Sequence, residues 1–204
     1  MKKILFVCLG NICRSATAEE VMRQLVRQAG MEQNFVIDSA GISNYHQGEL
    51  PDPRMRVHAA RRGYELTHLS RPVTYNDFFD FDMIIGMDSS NMQALHDRAP
   101  GLDEERKLYR ITDFCRSHQD IDHVPDPYYG GDQGFENVID ILEDACAGLL
   151  EYLERQDDSS KKRQEYADTK KVRHSTKGDV WLFFVEKNTQ LFVLYVLKRI
   201  FAFV

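Results

Sequence analysis

Two residues near the start of the chain have the types and spacing to do chemistry together. In Cys8-Leu-Gly-Asn-Ile-Cys-Arg14-Ser15 a cysteine and an arginine are separated by five residues. The apolar run Ile4-Leu-Phe-Val-Cys-Leu9 in front reads as a strand, and Ala18, Val21, Met22, Leu25 and Ala29 behind are spaced for a helix. A loop of this size between strand and helix can curl its N–H groups around one phosphate dianion. Gly10 admits the close approach or unusual dihedrals that such curling needs. Arg14 offers a planar fork that matches two phosphate oxygens. The helix dipole, the inward amides and the Ser15 hydroxyl favour the thiolate of Cys8, a nucleophile aimed at phosphorus. A bare cysteine–x5–arginine match is usually a buried small side chain and a surface cation. Here the strand-loop-helix context, the glycine and the following serine favour the chemical reading.

Breaking a phosphate ester also requires a proton on the departing oxygen, and Asp126 in Asp126-Pro-Tyr-Tyr-Gly-Gly131 can supply it from a proline-stiffened loop. An Asp-Pro pair alone is commonly an ordinary turn, so its weight comes from partnership with Cys8.

With Ala16-Thr-Ala-Glu19 after the loop, these two segments resemble the signature of the low-molecular-weight protein tyrosine phosphatases, and the likeness runs from Lys2 to about Glu154. The resemblance implies hydrolysis of protein phosphotyrosine and aryl phosphates through a phosphocysteine. Cys8 would be the nucleophile, Arg14 the phosphate clamp, Ser15 a thiolate partner and Asp126 the general acid, then base. Leu9, Gly10, Asn11, Ile12 and Cys13 would bind the phosphate, with Tyr128 and Tyr129 on the cleft wall and Tyr45 at its rim. Asn11, Ser39 and His68 would form a network fixing the loop. Cys13 matches a position that forms a disulfide with the nucleophile under peroxide. Substrates would be phosphotyrosine proteins. No cofactor is implied, and His58, His68, His96, His118 and His123 lack the spacing of a metal ligand set.

Three rivals use the same residues differently. Thioredoxin-coupled arsenate reduction needs a relay of two further cysteines, whereas Cys115 and Cys146 are far apart in sequence and Cys146 falls on an apolar stripe. A protein arginine phosphatase of the same family carries threonine in place of Ile12 and a different aromatic content in the acid loop. A non-catalytic phosphate-binding module would need neither Cys8 nor Asp126.

The elements that must position these groups alternate. Strands are expected at Lys3–Cys8, Phe35–Ser39, Phe81–Met87 and Lys107–Ile111. Helices are expected from Ser15, over Pro53–Gly63, from a cap near Asp88, Ser89 or Ser90 to Ala99, and after Gly134, where Phe135, Val138, Ile139, Leu142, Ala145, Cys146, Leu149 and Leu153 make a stripe. This pattern is α/β: a central, mostly parallel four-stranded sheet with helices on both faces and the phosphate loop after its first strand. Ligands bind beyond the carboxyl ends of such strands.

Its 204 residues suit one domain, placed at 1–156, plus an appendage at 157–204. From Asp157 the chain reads as a polar linker to about Asp179. It then carries two apolar runs, Val180–Val185 and Leu191–Leu197, split by Glu186-Lys-Asn-Thr-Gln190, so that neither half spans a bilayer. The runs leave open a membrane-surface or partner contact, a hairpin on the domain, or an unnatural extension. Net charge is -6, and 10 of the 26 basic residues lie in the tail, which argues against a nucleic-acid partner. The apolar run at the start is too short for a signal sequence, which with four cysteines implies a reduced, cytoplasmic protein. Oligomeric state is not legible.

Overall fold

In this computed structural model the structure describes residues 1–169, 180–187 and 190–197, with side chains as far as residue 163 except those at positions 129 and 160. Strands β1 (Lys2–Cys8), β2 (Phe35–Gly41), β3 (Met83–Gly86) and β4 (Leu108–Arg110) form one sheet in the order β2-β1-β3-β4, every pair parallel. Helices α1 (Arg14–Gln28), α2 (Pro53–Arg61), α3 (Asp77–Asp80), α4 (Ser89–Arg98), α5 (Leu102–Glu105) and α6 (Gly131–Thr169) make up the helical layers.

The β1 run is continuous rather than alternating because both faces of the sheet are covered. Ile4, Phe6 and Cys8 point into one core with Val21 and Met22 of α1 and the Phe135–Leu153 stripe of α6. Leu5 and Val7 point into the other, with Phe78 of α3, Ile84 and Leu95 of α4. The expected α/β sheet is therefore present, fully parallel. Its order reverses around β1, whose neighbours are β2 on one side and β3 on the other, and the crevice at such a switch point is where ligands bind. The loop after Cys8 and the two residues after β3, Met87 and Asp88, emerge there.

Local chemistry sets the helix ends. Asp52 caps α2 by accepting from the Arg54 N–H with Pro53 in the first position, and Asp88 caps α4 by accepting from the Asn91 N–H. Of the three residues expected to cap α4, Asp88 is the one that does. In α6, Gly148 is required by close approach, because a Cβ there would lie 1.9 Å from the Phe114 carbonyl oxygen. The segment that touches it is pinned one turn away. Asp144 accepts from the N–H groups of Arg116, Ser117 and His118 and meets the His118 ring.

One expectation is corrected. The stretch from Asp157 to about Asp179 reads as a linker, yet α6 continues through Thr169, and positions 170–179 lie outside the described residues. The segment is polar all round, which hides it from apolar periodicity, but no glycine or proline interrupts it. Asp157/Lys161 and Asp158/Lys162 stand at the i,i+4 spacing that supports a helix, and the Ser159 hydroxyl donates to the Arg155 carbonyl at 2.7 Å. The chain divides into compact units at Met1–Leu153 and Glu154–Val204. In the second unit β5 (Val180–Lys187) and β6 (Gln190–Leu197) pair antiparallel, Val180 opposite Leu197, so the two apolar runs form a hairpin. No helix among the described residues is long and apolar enough to cross a membrane.

Burial pushes the Asp144 carboxyl up, but the N–H groups of Ser117 and His118, the His118 ring and the Arg116 N–H outweigh it and hold the carboxyl at about 2. Because the folded value lies below the unfolded one, the stabilisation is present above pH 4 and is lost as pH falls towards 2. Asp144→Asn is expected to lower stability at pH 7 by about 1–2 kcal/mol, allowing for screening by water. The difference from wild type should shrink in urea titrations between pH 4 and 2; a deficit independent of pH would contradict this account.

Candidate active site

The residues between Cys8 and Arg14 form a cradle whose backbone turns sharply at one residue. Asn11 has φ 56, the one positive φ outside glycine among the described residues. Asparagine tolerates this left-handed conformation better than most side chains. The turn is locked by its carboxamide, which is fully buried: Nδ2 donates to Ser15 Oγ at 2.9 Å and to Ser39 Oγ at 2.8 Å, and Oδ1 accepts from the Arg71 N–H at 3.0 Å. Gly10 supplies close approach instead. A Cβ there would stand 3.1 Å from Cδ2 of His46.

Inside the cradle, Cys8 Sγ accepts from the Asn11 N–H at 3.3 Å and lies 3.1 Å from Ser15 Oγ. Since Ser15 already accepts from Asn11, its single hydroxyl proton is shared between two acceptors, the sulfur at 3.1 Å and the Ala40 carbonyl at 3.4 Å. Arg14 opens α1 with a buried guanidinium. Its Nη1 donates to Asp88 Oδ2 at 2.5 Å and to the Val124 carbonyl at 3.1 Å, and its Nη2 donates to Asp126 Oδ2 at 2.9 Å. Asp126 Oδ1 in turn accepts from the Tyr128 N–H at 3.1 Å, capping the short 3-10 turn Pro127–Tyr129. Neighbouring Asp52 anchors Arg54, whose guanidinium carbon lies 5.0 Å from the Tyr128 ring centroid. Arg54 also donates to the Tyr128 carbonyl at 3.1 Å, tying the acid loop to α2.

Together these surround an open cavity of about 350 Å³, lined by Cys8, Leu9, Gly10, Ile12, Cys13 and Arg14 on the cradle side and by Ser43, Tyr45, His46, Asp126 and Tyr128 at its mouth. The structure thus brings together the sequence-derived Cys8, Arg14, Ser15, Asp126, Tyr45 and Tyr128. Ser39 and His68 stand behind the cradle. The Tyr129 backbone belongs to the 3-10 turn, while its ring lies outside the described side chains. Cys13 is buried against Cys8, Asp52 and Asp126, and burial first, then these negative neighbours, push its thiol far up.

Sequence reasoning missed several partners. Asp88 was read only as a helix cap. Glu19 was read only as part of a signature, yet it is 1% exposed and links Ser39 (Oγ to Oε2, 2.5 Å) to His68 (Nδ1 to Oε2, 3.2 Å). Ser43 and His46 sit on the rim beside Tyr45. The signal available for Asp88 was its place directly after a central strand at the switch point. Glu19, Asp38 and His68 come close enough to resemble a metal-ligand set. Their charge is already met, however, by Arg23 on Glu19 at 2.6 Å and Arg71 on Asp38 at 2.8 Å.

A buried sulfur, a buried guanidinium and a carboxyl thus face one cavity. Residues 3–159 match the model of the low molecular weight phosphotyrosine protein phosphatases. The chain belongs to this family. A Streptomyces coelicolor low molecular weight protein-tyrosine-phosphatase is 40% identical over 156 residues, covering 76% of this chain and 94% of the relative. The crystal structure of an Entamoeba histolytica protein tyrosine phosphatase superposes with TM-score 0.74 at 46% identity, covering 77% and 99%. A Drosophila arginine phosphatase superposes with TM-score 0.68 at 31% identity, covering 75% and 98%. Family membership makes the chain an enzyme of the protein-tyrosine-phosphatase class.

The Asn11 geometry separates two costs. Asn11→Gly keeps access to positive φ and loses only the carboxamide bonds, whereas Asn11→Ala loses both. Thermal unfolding should show Ala less stable than Gly by about 1 kcal/mol, the cost of a left-handed alanine. The reverse order would mean that the turn is not held in this conformation.

Proposed function

We propose that this enzyme hydrolyses phosphotyrosine in proteins through a phosphocysteine intermediate. The observation that carries the reading is the convergence of Cys8 Sγ, Arg14 and Asp126 on one cavity. In the first step Cys8 Sγ attacks phosphorus while the bond to the tyrosine oxygen breaks. Arg14 and the loop N–H groups hold the equatorial oxygens as charge develops there. Asp126 donates a proton to the departing phenolate. In the second step the Asp126 carboxylate takes a proton from water, the water oxygen attacks phosphorus, the S–P bond breaks and inorganic phosphate leaves. The Asn11 N–H and the Ser15 hydroxyl receive the negative charge returning to sulfur.

Leu9, Gly10, Ile12 and Cys13 shape the cradle, and Tyr45, Tyr128 and Tyr129 serve as the wall for a flat ring. Asn11, Ser39 and His68 hold the cradle through the chain of bonds that includes Glu19. We assign the chemistry to residues 1–156, with 157–204 an appendage to it, and the compartment to the cytoplasm. Oxidation of Cys8 by peroxide is answered by Cys13, the two thiols and one peroxide giving a disulfide and two waters.

An arginine phosphatase is the second reading, favoured by the likeness to the Drosophila enzyme. Ile12 and the exposed Tyr128 ring favour a planar aryl ester over a guanidino phosphate.

With a chelator present, wild type should turn over a phosphotyrosine peptide and Cys8→Ser should be inert. A phosphoarginine peptide turned over faster than the phosphotyrosine peptide would favour the second reading. Asp126→Asn should cost about 10²–10³ in kcat on phosphotyrosine and far less on an aryl phosphate whose phenol is strongly acidic, because such a leaving group needs no proton. An equal loss on both would remove Asp126 from the acid role. After a peroxide pulse, dithiothreitol should restore wild type but leave most of the Cys13→Ser activity lost; equal recovery would argue against a protective disulfide.

A further inference from the structure

We propose that His46 determines specificity for peptides, its Nε2 accepting a hydrogen bond from a main-chain N–H beside the phosphorylated tyrosine. The inference rests on the phosphatase reading above and extends it to what the cavity mouth recognises.

His46 is held on three sides. Its Nδ1 lies 2.7 Å from Glu49 Oε2. Its Cδ2 edge packs where Gly10 has no side chain, with Nε2 3.8 Å from the position a Cβ would take. The Tyr45 ring stands 6.2 Å away, tilted by 58°. The loop that carries it is fastened in turn: Gly48 N–H donates to the Ser70 carbonyl at 2.7 Å, Ser70 N–H to the Glu49 carbonyl at 2.9 Å, and the Ser70 hydroxyl to the Gly10 carbonyl at 3.1 Å. A ring fixed this way against the phosphate cradle is built to present one atom.

The hydrogen bond to Glu49 identifies the chemistry of that atom. A carboxylate oxygen only accepts, so the Nδ1 proton belongs to the bond with Glu49, and in the neutral ring Nε2 is left as an acceptor. Among the described residues Nε2 makes no hydrogen bond, and the side chain is 31% exposed at the mouth. In that neutral form the partner that Nε2 can take from a substrate is a donor. Phosphate oxygens paired with Arg14 are acceptors and the phenyl ring has no donor. The first donors outward from the ring are the N–H of the phosphotyrosine itself and that of the next residue. An acceptor in the cavity lining that meets such a donor would distinguish a peptide from a free aryl phosphate.

The test uses one phosphotyrosine peptide in three forms: unmodified, N-methylated at the phosphotyrosine, and N-methylated at the following residue. Each is assayed with wild type, with His46→Phe, which keeps the packing on Gly10 but has no ring nitrogen, and with His46→Ala. One methylation should raise the wild-type KM about five- to tenfold with little change in kcat, and should change the KM of either variant less than twofold. Equal sensitivity in wild type and variants, or no sensitivity in any, overturns the inference while leaving the phosphatase reading intact. A His46-dependent preference for a peptide with glutamate beside the phosphotyrosine, without N-methyl sensitivity, makes the ring a donor and overturns it as well. Absence of turnover of the unmodified peptide by wild type would remove the proposed function and this inference together.

Discussion

A buried positive charge organises this molecule. The Arg14 side chain is 4% exposed, and an arginine taken out of water must be met by opposite charge and hydrogen bonds. Burial pulls against the charged form, but Cys8, Asp126 and Asp88 outweigh it and hold the guanidinium more firmly protonated than an exposed one. Meeting that demand draws together segments 74 and 112 residues apart in sequence. Asp88 serves twice, one oxygen on Arg14 and the other capping α4. The position of a surface helix is thereby coupled to the guanidinium at the floor of the cavity.

The second constraint is the left-handed turn at Asn11. A cradle that aims its N–H groups inward needs one residue out of the usual backbone regions, and that conformation persists only where surrounding bonds over-determine it. Three hydrogen bonds made by the buried Asn11 carboxamide do so, and the Ser39-Glu19-His68 chain braces the acceptor on β2. Glycine at this position would reach the same φ but would anchor nothing. The requirement for asparagine is therefore one of conformation and of hydrogen bonding together.

What the sequence disclosed and what it hid divide along the range of the interactions. The strand ending at Cys8, the helix opened by Arg14 and the caps at Asp52 and Asp88 depend on neighbours within a few residues, and their patterns are visible in a single chain. Close approach or unusual dihedrals were expected of Gly10; it serves the approach, and the positive φ falls on Asn11, whose side chain finds distant partners that no local pattern reveals. Asp88 shows only as a cap and Glu19 only as part of the signature because their decisive partners are brought by α1, β2 and the loop that carries His68. The continuation of α6 past Asp157 escaped for a different reason. Apolar periodicity detects a helix that packs, and a polar helix held by spacing of charges and absence of breakers carries no such stripe.

The two carboxylates on Arg14 are not equivalent, and the difference bears on the proposed mechanism. Asp88 is 20% exposed and committed to the α4 cap, so displacing it would also uncap a helix. Asp126 is 46% exposed, on a short turn, and holds Arg14 through one oxygen. A phosphoryl group entering the cradle competes for the guanidinium with whichever carboxylate yields at lower cost, and that is Asp126. In the proposed mechanism the exchange would leave Arg14 between Asp88 and the phosphoryl oxygens, while Asp126, released and now taking up a proton from solvent, would face the ester oxygen as the acid, still tethered by Pro127 and the Tyr128 N–H. On this reading the ion pair does more than neutralise a buried charge: it keeps the acid loop over the cavity until the substrate takes its place.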